Sequence, residues 1–445
     1  MKEQHQRLYS LDLLRGADIF LLTVICGIVG SLDNIFSFPD WFMDQFEHPA
    51  WVGFSFHDLI MPLFIFMCGA ALPLALPRRL DADGKAGWPY WRHVFARVAL
   101  LWFFGMISQG EIFSFDLKRI SFFNNTLQTI ACGYIAVAIV SLIRSAWVRA
   151  LVPFVLAAGY TAFLHLCGDM TPTGNAAVVY EVKFLSLFYP DPAWHPVRQI
   201  AAWHYTWWTT VPMFAVMGLA GYHATSILRQ AWSNAKRLGV MVAVGLGLGA
   251  LGAGLIFAGD DCIKHIFTAS FTSLAMGCGF LFYALFFFLF DVLNWRRGTW
   301  ILNLFGRHSL WAYMMADTTF RAILWVGSAI VLCGVHRKVG DGLSRFMDKP
   351  TFTLVQTLVI DVLLVLSMWA WDEWKRRGRA LAKAGAASDA PGGNAAAPSA
   401  PQPSVASAVA AANTPAGYQP RLPQNEAKSA APSRVLRPKA LSKES

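Results

Sequence analysis

Ten stretches of largely apolar residues recur along the chain, over 16–32, 58–77, 94–112, 124–143, 150–168, 207–226, 238–258, 268–290, 300–316 and 353–371. A helix that crosses a membrane needs about 20 such residues. The spacing therefore predicts an all-α, polytopic membrane helix bundle of ten spans. Composition agrees: of 445 residues 56% are hydrophobic and only 14% charged, where soluble domains carry about a quarter charged. The polar, basic start Met1–Arg15 feeds the first apolar run with no small-residue cleavage pattern behind it. It reads as the approach to a retained first span and not as a signal peptide.

The net charge of +10 does not indicate nucleic acid, because the basic residues sit in short loops between apolar runs. Arg78, Arg79, Lys85, Arg92 and Arg97, then Arg144 and Arg149, then Arg229, Lys236 and Arg237, then Arg296 and Arg297 alternate with loops poorer in Lys and Arg. Under the positive-inside rule these loops and both termini are cytoplasmic. Loops 33–57, 169–206 and 259–267 then face outward, to the periplasm if the membrane is a bacterial inner membrane. The apolar segment 322–335 is only about 14 residues long, a length typical of a re-entrant or interfacial piece. If it crosses, the spans number eleven and the carboxyl terminus lies outside.

From residue 380 to 445 the sequence turns to Ala, Pro, Ser and Gly with few large apolar side chains. Such a segment buries too little surface to offset chain entropy, so a disordered tail is expected after a membrane domain over 1–379. Seven cysteines are scattered, mostly inside apolar runs, without the paired spacing of a metal site, and no metal is expected. Aromatic residues crowd the outer loops, among them Trp41, Trp51, Phe54, Trp203 and Trp208. Rings at these positions suit headgroup level, and a carbohydrate would stack on them too.

Three polar groupings could carry chemistry. His48 follows Asp44 and Glu47 and precedes His57 and Asp58; an imidazole suits proton transfer near neutrality, and a carboxylate would fix its tautomer. Asp58 opens an apolar run, so it serves equally as a helix-start acid. The second grouping is Asn124, Asn125 and Gln128, where a buried amide either ties helices together or faces a ligand path. The third is Arg307 and His308, where the arginine snorkels or binds an anionic ligand. Walker loops, dinucleotide fingerprints and serine nucleophile elbows are absent from the sequence.

Several stretches together resemble one family. RLYSLDLLRGADIF, HPAWVGFSFHDLIMPLFIFMCGAALP, NNTLQTIACGYIAVAI, IKHIFTASFTSLAMGCG and LNLFGRHSLWAY, in that order, are similar to the membrane acetyltransferases related to heparan-alpha-glucosaminide N-acetyltransferase, particularly their bacterial relatives. The residues that carry the likeness include Arg15, Gly16, His48, Trp51, Gly53, Asp58, Pro62, Phe64, Phe66 and Gly69, and it covers about residues 7–375. Cys26 and His308 stand where that family often has Asn, and Thr129 where an Arg often follows the LQ pair, so the acceptor sugar is left open.

The resemblance implies transfer of acetyl from cytosolic acetyl-CoA to an amine or hydroxyl of a sugar or oligosaccharide across the membrane. It makes His48 the catalytic residue; beside it, Asp58 would orient the imidazole, and Asn124, Asn125 or Gln128 would stabilise the oxyanion. Donor phosphates would meet Arg15, Arg78, Arg79, Arg92, Arg97, Arg307 or His308. Membrane lipid and a second copy of the chain, as a homodimer, are further expected partners. The alternative is a sugar transporter or flippase that changes no bond, although no half-chain repeat of the kind transporters carry is evident.

Overall fold

The computed structural model describes residues 8–81, 83–108, 123, 125–187, 207–316 and 348–388. Among them every regular element is helical. In chain order these are α1 (Tyr9–Phe36), α2 (His57–Ala75), α3 (Trp88–Ser108), α4 (Thr126–Val140), α5 (Ala146–Cys167) and α6 (Ala176–Leu185). There follow α7 (Trp208–Leu228), α8 (Asn234–Phe257), α9 (Ala269–Val292), α10 (Trp300–Arg307), α11 (Ser309–Ala316) and α12 (Lys349–Ser388).

Seven of them, α1, α2, α5, α7, α8, α9 and α12, contain stretches long and apolar enough to cross a membrane, which marks an integral membrane protein. Seven such helices, and not ten, are found among the described residues. The other three expected runs take different forms. Helix α3 has 21 residues but carries Arg92, His93 and Arg97, and α4 has only 15. The expected single helix over 300–316 is two eight-residue helices, because the backbone leaves helical geometry at His308 (φ −113°, ψ 25°). Its neighbour Arg307 and His308 itself both turn to Asp372 on α12.

Residues 322–335 and Asn124 lie outside the described residues, as does the tail from 389 onward. By its contacts the chain divides into Met1–Arg379 and Ala380–Ser445, and α12 runs on to Ser388, past the boundary that composition suggests.

Helix α2 is the axis of the bundle. Twelve of the sixteen residues from Ile60 to Ala75 are buried, so this helix is enclosed by protein nearly all round. Between helices in lipid the hydrophobic effect gives little attraction, and close backbone approach at small residues takes its place. Helix α7 supplies that contact: a Cβ on Gly69 would sit 1.8 Å from the Gly218 carbonyl oxygen, and one on Gly221 1.8 Å from that of Phe66. The same device joins α1 to α10. A Cβ on Gly16 would fall 1.8 Å from the Leu302 oxygen, and one on Gly306 2.0 Å from the Asp12 oxygen.

The bundle has two distinct ends. At one, the starts of α2, α7 and α9 meet the ends of α5 and α8: Trp51 Nε1 donates to Met170 O (2.7 Å), Trp207 Nε1 to His265 O (2.9 Å) and Tyr160 OH to Ile266 O (2.8 Å). At the other, the ends of α2, α4 and α7 meet the starts of α3 and α5. There Tyr90 OH donates to Ala138 O (2.7 Å), Arg229 to Pro73 O, and His223 Nε2 to Arg149 O (3.1 Å). Asp58 and Pro73 mark the two ends on α2, fifteen residues apart, about 22 Å at the helical rise.

Candidate active site

The stretch before α2 is fixed residue by residue. Asp58 N–H donates to Ser55 Oγ (3.3 Å) and Ser55 N–H to Asp58 Oδ2 (3.4 Å), a reciprocal lock that starts the 3₁₀ turn His57–Leu59. Gly53 has φ +151° and donates to Cys262 O (2.8 Å), and a Cβ there would lie 2.8 Å from the Pro49 ring. Only glycine lets the chain pass this close. Trp51 stacks on His265 at 5.3 Å with 22° between the planes. Trp51 and Gly53 therefore tie the His48 loop to the α8–α9 loop.

That tie brings three charged or titratable side chains together. His48 Nδ1 lies 2.6 Å from Asp58 Oδ1. Lys264 Nζ, from the α8–α9 loop, lies 2.9 Å from the same oxygen and 3.1 and 3.4 Å from the two ring nitrogens of His48. The Asp58 side chain is fully buried, whereas His48 is 43% exposed. Proton-transfer chemistry needs this division: a buried carboxylate to orient the ring, and a ring edge open to a reactant. With Nδ1–H donating to Asp58, Nε2 carries the lone pair. His57 stands behind, its ring 4.5 Å from that of His48 and its Nδ1 2.6 Å from Phe46 O. The Phe46 carbonyl can only accept, so His57 Nδ1 bears the proton.

Burial lowers the Lys264 pKa from its ordinary value, and the Asp58 carboxylate works against that shift. Burial, and then the Lys264 charge, push His265 down to about 4. The Cys262 thiol is pushed up to about 12 by burial, then by Asp58 and Asp260. A thiol held in that range is not a nucleophile. A second His–carboxylate pair stands at this end, His165 Nε2 lying 3.0 Å from Asp260 Oδ1, but it has no lysine on its shared oxygen among the described residues.

The amide grouping lies elsewhere. Asn125 caps α4, its Oδ1 accepting from Leu127 N–H (2.8 Å), while Gln128 Oε1 accepts from Asn125 N–H (3.1 Å), a complete capping box. Asn125 Nδ2 also donates to Ser108 Oγ (2.8 Å), and Tyr313 OH on α11 donates to Asn125 Oδ1 (3.5 Å). The Tyr313 ring is 6.4 Å from Phe64 on α2. Phe64 follows Asp58 by six residues, about 9 Å along the helix. Gln128 is fully buried where Gly105 leaves room for it, a Cβ there meeting its Cγ at 2.9 Å. Asn125 and Gln128 thus join α3, α4 and α11, whereas the His48 ring bonds to Asp58 and Lys264.

The residues expected to hold donor phosphates fall into more than one group, Arg79 and Arg97 both standing near His93 and Tyr134. Arg307 Nη2 lies 2.8 Å from Asp372 Oδ2, and His308 Nε2 2.8 Å from Asp372 Oδ1, so both are engaged by one carboxylate. Arg15 lies 3.7 Å from Asp12. Arg97 stands 5.0 Å from the centre of the Tyr134 ring. Arg78 and Arg79 form an exposed turn after α2, and Arg92 is exposed near the start of α3.

Lys264 is the site residue that inspection of the sequence passes over. A signal for it exists: it is a lysine in a loop that the charge bias assigns to the outer side, where lysines are depleted. A cation placed against that bias is explained by its bond to Asp58. Among the described residues no three His, Cys, Asp or Glu side chains gather as metal ligands. No family model matches the sequence, and no curated protein matches it.

Proposed function

We propose that the protein is a transmembrane acyltransferase that moves acetyl from cytosolic acetyl-CoA to an amine or hydroxyl of a sugar or oligosaccharide on the outer side of the membrane. The observation that carries this reading is the His48–Asp58–Lys264 cluster at the start of the most enclosed helix, with the His48 ring half open. It stands together with the ordered likeness to the acetyltransferases described above. On this reading α3, α4 and the α10–α11 pair complete the bundle to ten crossings in a bacterial inner membrane, with both termini cytoplasmic.

In the proposed reaction His48 Nε2 takes the proton from the acceptor hydroxyl or amine as its oxygen or nitrogen bonds to the thioester carbonyl carbon. The carbon–sulfur bond breaks, and the proton returns from His48 to the departing thiolate. Asp58 holds the ring through Nδ1 and balances the imidazolium that forms. The Lys264 ammonium faces the acyl oxygen as negative charge develops there. Transfer to His48 itself, followed by a second transfer to the acceptor, uses the same groups.

The test is incubation of the purified chain with labelled acetyl-CoA and a panel of amino sugars and neutral oligosaccharides, read by mass. An acetylated sugar supports the reading. A transporter would bind or move the sugar and leave its mass unchanged.

A further inference from the structure

Two cavities meet at the end of the bundle opposite His48. The smaller, of about 330 Å³, lies where the ends of α2, α4 and α7 meet the starts of α3 and α5, and its polar wall is Tyr90, Ser141, Arg149, Ser226, Arg229 and Gln230. The larger, of about 850 Å³, is an open groove bounded by α5, α7, α8 and α9. Along α7 its wall is Met213, Val216, Ala220, His223 and Ile227, with Gln230 just past the end of the helix. Those steps of three and four form one face of the helix, about 21 Å long from Met213 to Ile227 at the helical rise. Elsewhere the groove is apolar, with Phe154, Leu248, Leu251 and Phe280. Arg149, Tyr222, Ser226 and Gln230 line both cavities, so the two lie side by side with only these side chains between them.

The chemistry of the lining is one-sided. Two arginines and no acidic residue line the polar cavity among the described residues. Their bonds to protein each use a single nitrogen: Arg149 Nη1 on Ile143 O and Arg144 O, Arg229 Nη1 on Pro73 O. Capping of helix-end carbonyls explains those contacts and uses fewer than half of the five donors of each guanidinium, beside a cavity with no acidic lining residue among the described residues. Guanidinium groups match phosphate oxygens in geometry. Trp147 and Trp232 flank the groove at the same end, as aromatic residues do at headgroup level. A basic polar cavity beside a largely apolar channel suits the anionic head and the chain of a lipid.

We infer that the adjoining cavities bind an anionic phospholipid, with its phosphate against Arg149 and Arg229 and an acyl chain along the α7 face. The inference rests on the membrane character of the chain and not on acyl transfer. Its test is native mass spectrometry of the full-length protein, stripped of lipid in neutral detergent and titrated with phosphatidylglycerol or phosphatidylcholine. Phosphatidylglycerol binds more tightly, and Arg149→Gln and Arg229→Gln each weaken it about fivefold, as loss of one basic contact predicts, with phosphatidylcholine, whose choline offsets its phosphate, weakened less. Ala220→Phe, which fills the groove without touching charge, weakens both lipids. Arg229→Gln and Ala220→Phe keep the test decisive if Arg149→Gln fails to fold. Equal binding of the two lipids overturns the inference. So does displacement of phosphatidylglycerol by adenosine 3′,5′-bisphosphate in an Arg149-dependent manner, which would give the pocket to a soluble phosphate ligand.

Discussion

Lys264 Nζ lies 2.9 Å from Asp58 Oδ1, the oxygen that His48 Nδ1 approaches to 2.6 Å. One carboxylate oxygen thus joins two loops separated by some two hundred residues of sequence. The α8–α9 loop is thereby part of the site, and the ion pair both builds the cluster and sets its charge.

Removing one member of a buried ion pair strands the other. Lys264→Met is expected to destabilise the protein by about 3 kcal/mol or more and to abolish acetyl transfer. The double variant Lys264→Met, Asp58→Asn recovers part of that stability but none of the activity. Thermal unfolding of the two single variants and the double variant in one detergent measures the coupling.

His265 provides a pH signature in the same loop. Its pKa in the fold is about 4, against an ordinary 6.5, so between these values the unfolded chain binds more protons than the folded one. Stability therefore rises with pH through this window and is lost on acidification toward pH 4. His265→Phe keeps a ring against Trp51 and removes the titration. Its melting temperature is expected to vary less than wild type between pH 4 and 6.5.

Glu181 on α6 behaves oppositely. Burial, opposed by backbone N–H donors from Trp208 and Thr209, lifts its carboxyl from 4.5 to about 7, so the folded state holds the extra proton between those values. Stability falls as pH rises through that interval and stays lower above it. Glu181→Gln still accepts from Trp208 N–H, now 2.9 Å from Glu181 Oε2. The variant is expected to melt higher than wild type at pH 8 and to lose that advantage at pH 5.

The α1–α10 contact has no slack. A side chain at Gly16 must displace the Leu302 carbonyl, which would lie 1.8 Å from its Cβ. Gly16→Val is expected to destabilise by about 3 kcal/mol or more, whereas Gly30→Val, where nothing lies within 4 Å, is tolerated in this respect. Melting temperatures of the pair check the contrast.

Much of this was legible from residue order alone. Apolar runs located α2, α5, α7, α8 and α9, because length and hydropathy suffice for a helix in lipid. They under-read α1, which begins at Tyr9, seven residues before the apolar run at 16–32. Its polar first turns bury Ser10, Leu11, Leu13 and Leu14 against protein, a contact that hydropathy does not register. The break at His308 was equally hidden, and the partner that His308 meets there, Asp372, is sixty-four positions away.

In the site, the nearness of His48 to Asp58 was readable from their ten-residue spacing. Lys264 was not, because an ion pair between distant loops leaves no local pattern. Asn125 and Gln128 were visible as an amide pair, but whether they served a ligand or a helix start depended on three-dimensional partners. They form the capping box at the head of α4, and Asn125 also bonds to Ser108 and Tyr313.

The central claim is that His48 is the proton-transfer group of an acetyl transfer, and its most direct test is the rate with labelled acetyl-CoA for wild type and His48→Ala. The account predicts an acetylated sugar with wild type and a loss of about a hundredfold to ten-thousandfold in the variant, with the melting temperature near that of wild type because the ring is half exposed. His48→Ala transferring acetyl at the wild-type rate would contradict it.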